Sequence, residues 1–142
     1  MIQRFHVLTL PQFKRLGASL GKFYHQRAGV IGLIGPLGAG KTTFAKSFAQ
    51  SLGIKQVKSP TFTIVSSFQL NRRQFHHIDF YRLAKSQDLQ PLGILPLLSE
   101  ARGLVLIEWV DKFPKLQRYC DLIIKISLSN KPNRRNVTIY QN

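Results

Sequence analysis

Apolar positions change their period several times along the chain, and each change marks an element. Phe13, Leu16, Leu20 and Phe23 recur every three or four residues, which predicts one face of an amphipathic helix. Thr9 or Leu10 stands near its start, Pro11 is tolerated in the first turn, and Gly29 ends the helix or the turn after it. VIGLIG (30–35) is a short β-branched run of the kind buried in a parallel sheet. A glycine-rich stretch follows, and then Thr42 to Leu52 reads as a helix closed by Gly53. Phe62 to Leu70 and Gln74 to Phe80 predict a hairpin turning around Asn71, Arg72 and Arg73. Ala84 to Leu98 is weakly helical and interrupted by Pro91 and Pro96. LVLIEW (104–109), DLIIKISL (121–128) and NVTIY (136–140) complete the set of strands. Strands alternating with helices predict a single α/β domain over residues 1–142, with a mixed central sheet flanked by helices and an antiparallel portion in the middle of the chain.

Between the strand at 30–35 and the helix from Thr42, Gly35-Pro-Leu-Gly-Ala-Gly-Lys41-Thr42 satisfies the pattern G-x-x-x-x-G-K-(S/T) in full. Glycines at 35, 38 and 40 let the backbone curl so that successive amides point inward, and the helix N-terminus adds its partial positive charge. The expectation is a P-loop NTPase fold that binds ATP with magnesium. Its nucleotide contacts would come from Gly35, Leu37, Gly38, Ala39, Gly40, Lys41, Thr42 and Thr43. Lys41 would reach the β- and γ-phosphates, and the Thr42 hydroxyl would be a magnesium ligand.

Such a loop needs an acid at the end of a neighbouring strand. Glu108 closes LVLIE, where ligands of open α/β sheets collect, and is assigned to the metal with Thr42. Asp79, in HHIDFYRL, is the second acid, suited to orient or deprotonate an attacking water; His77 shares its side of the strand and is read as a supporting histidine. Lys41, Asp79 and Glu108 are thus the catalytic candidates. Trp109 reads either as a lid or interface aromatic or as core packing. Thr61, in Ser59-Pro-Thr-Phe62, reads either as a γ-phosphate sensor or as part of an ordinary Ser-Pro turn. Asn130-Lys-Pro-Asn133 resembles a guanine-reading element but ends in a carboxamide, which must turn one donor toward a donor, so adenine is expected.

Composition adds two points. Cys120 is the only cysteine, in an apolar neighbourhood, which excludes an internal disulfide and reads as a buried thiol in a reducing, cytoplasmic compartment; no apolar run is long enough to suggest a membrane span. Against 6 acidic side chains stand 21 Lys and Arg, a formal charge of +15. Such a field attracts polyanions, and both direct RNA contact and a merely solvated basic surface fit it.

Taken together and in order, GPLGAGKTTF, SPTF, HIDFYRL and LIEW resemble the bacterial TsaE (YjeE) family over roughly residues 9 to 140. The resemblance implies a weak ATPase needed for making threonylcarbamoyladenosine in tRNA, acting on a complex of TsaB-like and TsaD-like partners, with the transfer itself belonging to the TsaD kind. It also implies that Trp109 lies near the site, that Thr9 touches the nucleotide, and that Arg135 matches a C-terminal arginine beside it. Pro36 stands where the family often has Asp, Val110 and Asp111 where Pro and Glu are usual, and LGILPLLSE lacks acidic residues common there. Two other classes share parts of the pattern: a small-molecule kinase, and a basic RNA-binding module whose loop is vestigial.

Overall fold

The computed structural model of the chain describes residues 1–55, 63–100 and 102–142. Its elements are β1 (Ile2–Leu8), α1 (Leu10–Tyr24), β2 (Gly29–Ile34), α2 (Lys41–Ser51), β3 (Val65–Leu70), β4 (Arg73–Asp79), α3 (Ile94–Ser99), β5 (Leu104–Glu108), β6 (Leu122–Leu128) and β7 (Arg135–Gln141), with 3₁₀ turns at Ser86–Leu89, Val110–Lys112 and Pro114–Tyr119. The seven strands form one sheet in the order β1-β7-β6-β2-β5-β4-β3. β2 runs parallel to both β5 and β6, and β4 parallel to β5.

Alternation along the strands fixes two apolar layers. Ile31, Leu33, Phe75, Leu104 and Leu106 point to the side covered by α1 and α2, where Phe13, Phe44 and Phe48 meet them. Val30, Ile78, Val105 and Ile107 point to the other side, under Leu89, Ile94, Leu98 and Leu116 from shorter elements. Each fully buried side chain of this size contributes roughly 1.5–3 kcal/mol. The same period of two carries His77 and Asp79 with Phe75, and Glu108 with Leu106, toward α2. Thus the site is aimed by the core.

Several expectations shift. α1 starts at Leu10 behind a Thr9 cap as read, but it ends at Tyr24, and Gly29 opens β2 instead of closing the helix. The weak helix over 84–98 is a 3₁₀ turn and the short α3, separated by Gly93 in a left-handed conformation; Pro96 falls in the first turn of α3, where its missing N–H has no helical partner to lose. Antiparallel pairing occurs in the middle hairpin β3–β4 and also in a second wing, β6–β7–β1. β1 has no counterpart in the sequence reading. It pairs with β7 alone, kinks at Val7 and leaves most of its side chains exposed, so the alternation that marks a half-buried strand is weak there. Cys120 is buried, and burial pushes its thiol up to about 12, as expected for an inert group. No helix among the described residues is long and apolar enough to cross a membrane.

Candidate functional site

The glycine loop leaves the carboxyl end of β2 and turns into α2 at Gly40, whose φ of 108° only glycine adopts easily. No side chain caps α2, so its first amides remain open to the cleft, where the helix end carries roughly half a positive charge. Lys41 is 5 % exposed. Its ammonium turns back to the carbonyl oxygens of Gly35 and Pro36, the latter at 2.9 Å, and lies 3.8 Å from the centre of the Trp109 ring. Burial holds its pKa below the usual lysine value, while Glu108, Asp111 and Asp79 pull it back up.

Parallel register sets the acids beside the loop: Leu33 of β2 is level with Glu108 of β5, which is level with Asp79 of β4. Glu108 is 1 % exposed and joined on both oxygens. Thr42 Oγ1 donates to Oε2 at 3.0 Å, and His77 Nε2 meets Oε1 at 2.8 Å. A carboxylate can only accept, so Nε2 carries the hydrogen, and His77 Nδ1, fully buried, has no hydrogen-bond partner among the described residues. Asp79 Oδ1 accepts the Tyr81 N–H at 2.9 Å. Burial, with some help from Glu108, raises the Asp79 pKa, against the lowering influence of the Tyr81 amide, His77 and Lys41.

From the far side, Arg135 at the head of β7 donates from Nε to Ala39 O at 2.7 Å. The resulting cleft, about 420 Å³, is lined by Leu37, Gly38, Gly40, Lys41, Thr42, Thr43, Asp79, Tyr81, Glu108, Trp109 and Arg135. Gly35 and Ala39 lie buried beneath it and face it through the bonds just described. Thr9 is not among the residues lining the cleft, though Leu8 before it pairs with Arg135; its hydroxyl accepts the Gln12 N–H and its own N–H meets Gln12 Oε1, a capping box at the head of α1. Thr61 lies outside the described residues. Asn130–Asn133 is spent on the turn between β6 and β7, closed by Ser129 N–H to Arg134 O.

Two contributors were not singled out from sequence. Tyr81, 49 % exposed, sets its ring centre 5.3 Å from that of Trp109. Its signal was position: an exposed aromatic two residues past a strand-end acid. Lys112 donates to the Tyr81 carbonyl and pins the turn that carries it.

Among the described residues no three of His, Cys, Asp and Glu are grouped to hold a metal. Thr42 and Glu108, with phosphate oxygens, are the donors suited to magnesium, a cation commonly held by one or two carboxylates, substrate and water.

Strand order and the loop's place at the carboxyl end of the central strand put the chain in the P-loop NTPase class. The crystal structure of Bacillus subtilis YdiB shares the fold, with a TM-score of 0.72 at 25% identity over 99% of this chain and 86% of that one. The family model described as "Threonylcarbamoyl adenosine biosynthesis protein TsaE" matches residues 9–137, and the chain belongs to that family. The tRNA threonylcarbamoyladenosine biosynthesis protein TsaE of Aquifex aeolicus is 36% identical over 115 residues, 79% of this chain and 77% of its own. That of Haemophilus influenzae is 33% identical over 114 residues, 80% and 72% of the two chains.

Proposed function

We propose that the chain binds and hydrolyses ATP with magnesium as an accessory component of tRNA threonylcarbamoyladenosine synthesis, acting on a complex of TsaB-like and TsaD-like proteins. The observation that carries the reading is the bonded series Thr42–Glu108–His77 placed beside Lys41 at an uncapped helix N-terminus. A loop kept only for its shape would have no need to bury a carboxylate and a histidine against each other.

Each residue has a task that follows from its surroundings. The open amides at the start of α2 receive phosphate oxygens. Lys41, held by two backbone carbonyls and an indole face, exchanges those weak partners for phosphate, and its burial strengthens the charge it brings. Thr42 and Glu108 hold the cation side, with His77 keeping Glu108 in one rotamer. Magnesium, when bound, would neutralise charge developing on the transferred phosphoryl group. Asp79, with its raised affinity for a proton, is suited to orient water and accept its hydrogen. Trp109 and Tyr81 wall the cleft, and Arg135 braces the loop. Adenine is the expected base, because the stretch 130–133 ends in Asn133, whose carboxamide would turn a donor toward a guanine donor.

The test is reconstitution. With TsaB-like and TsaD-like proteins, tRNA and ATP, addition of this chain should turn a stalled modification into a cycling one. Equal turnover with the chain omitted, or with Lys41→Ala in its place, would overthrow the reading.

A further inference from the structure

At the amino ends of the parallel strands the chain places a different kind of surface. Arg27 precedes β2, Arg102 precedes β5 and Arg73 opens β4, so the parallel topology lines these cations along one edge, opposite the loop. Gly103 allows the close approach: a Cβ there would meet Gln74 O at 2.4 Å. Two depressions meet at Arg72 and Arg73, one running toward Arg102, the other toward His25 and Gln26, and a third continues from these to Lys22 and Arg27. Arg73 is committed to the Tyr24 and His25 carbonyls at the end of α1. Arg72 and Arg102 are exposed and have no hydrogen-bond or ion-pair partner among the described residues.

Acids do not balance this edge. Of the six, Asp79, Glu108 and Asp111 surround Lys41 at the other end, Asp88 accepts from the Lys85 amide, and Asp121, which precedes β6 at this same end beside Tyr24, accepts from the Val30 amide and does not line the depressions. Glu100 alone lines the groove. One aromatic stands in it: Phe23, 54 % exposed, with the Arg27 guanidinium 4.2 Å from its ring centre.

Exposed cations along a concave path fit a chain of phosphates, and a stacked aromatic and guanidinium pair fits the face of an unpaired base. We propose that this edge is an RNA-binding groove, taking the sugar–phosphate backbone across Arg27, Arg72 and Arg102 and a looped-out base on the Phe23–Arg27 platform. An acidic protein would need none of the stacking surface, which favours RNA. The groove stands on its own observations; only the choice of a tRNA stem-loop as probe rests on the function proposed above.

The experiment is fluorescence anisotropy with a labelled tRNA anticodon stem-loop, read against salt. Wild-type affinity should fall linearly in a log–log plot, and the double variant Arg72→Ala/Arg102→Ala should lower the slope by about 2 and weaken binding roughly tenfold or more at low salt. Phe23→Ala should leave the slope alone, weaken the stem-loop about fivefold or more, and spare a fully paired duplex. ATP affinity, measured in parallel, should be unchanged in both variants, and their far-ultraviolet circular dichroism reports that they fold. Wild-type-like RNA binding by the double variant overturns the groove, as does polyglutamate competing as well as RNA. Loss of ATP binding in wild type would instead strike the function proposed above, leaving these readings intact.

Discussion

The two ends of the parallel strands are assembled by one topology and work on opposite physical terms. At the carboxyl end Lys41, Glu108 and His77 are buried and bonded to fixed partners. At the amino end Arg72 and Arg102 stand in water without partners among the described residues. Buried charges are costly unless their geometry is satisfied, so the first end depends on single atoms. Exposed charges act as a summed field that salt screens, so the second end tolerates the loss of any one. The difference teaches that a net charge of +15 says little about the candidate site at the glycine loop, where Lys41 lies among Glu108, Asp111 and Asp79.

The sharpest separation comes from Lys41→Ala. ATP affinity by calorimetry should drop on the order of 100-fold, close to 3 kcal/mol, while affinity for polyanions stays at the wild-type value; a loss of less than about threefold would mean the ends are not distinct in this way. Glu108→Ala should slow magnesium-dependent hydrolysis by roughly 100-fold. The same change leaves the His77 N–H without its acceptor, so urea unfolding should show a loss of about 1–3 kcal/mol. An unaltered unfolding midpoint would show that the pair is not part of the fold.

Gly103→Ala probes the amino end through packing instead of charge. Its new methyl would press on the Gln74 carbonyl, costing about 1–3 kcal/mol in thermal or urea unfolding with ATP affinity preserved. The smallest expected effect is on stability in Asp79→Asn, which keeps an acceptor for the Tyr81 amide and removes a carboxyl whose pKa is raised in the fold. A raised carboxyl costs nothing below its ordinary value of 3.8 and destabilises the fold as pH climbs from there through the raised value. The variant should therefore melt slightly above wild type at neutral pH and level with it near about pH 3, while hydrolysing ATP about tenfold more slowly or worse.

How far the sequence could be read depended on how local each cause was. α1 was visible because its period and its Thr9 cap lie within a few residues, and β2, β5 and β6 because burial on both faces leaves near-continuous apolar runs. The loop declared itself by spacing. That Asp79, Glu108 and Leu33 stand level is a matter of register between distant strands, which no single segment encodes. His77 was half legible: alternation put it beside Asp79, but its bond to Glu108 needed the pairing of β4 with β5. β1 escaped because most of its side chains are exposed and its pairing shifts around Val7, which leaves little alternation to show. Thr9 shows the converse: its cap role was legible from its place before α1, and the structure shows that capping box.

Trp109 is the chain's single tryptophan, held in a left-handed backbone with an ammonium against its ring. The protein therefore carries its own optical probe at the mouth of the cleft. Departure of the Lys41 head from the indole changes the polarity and quenching that the excited ring experiences, so the emission of one native fluorophore reports the loop's state with no label attached.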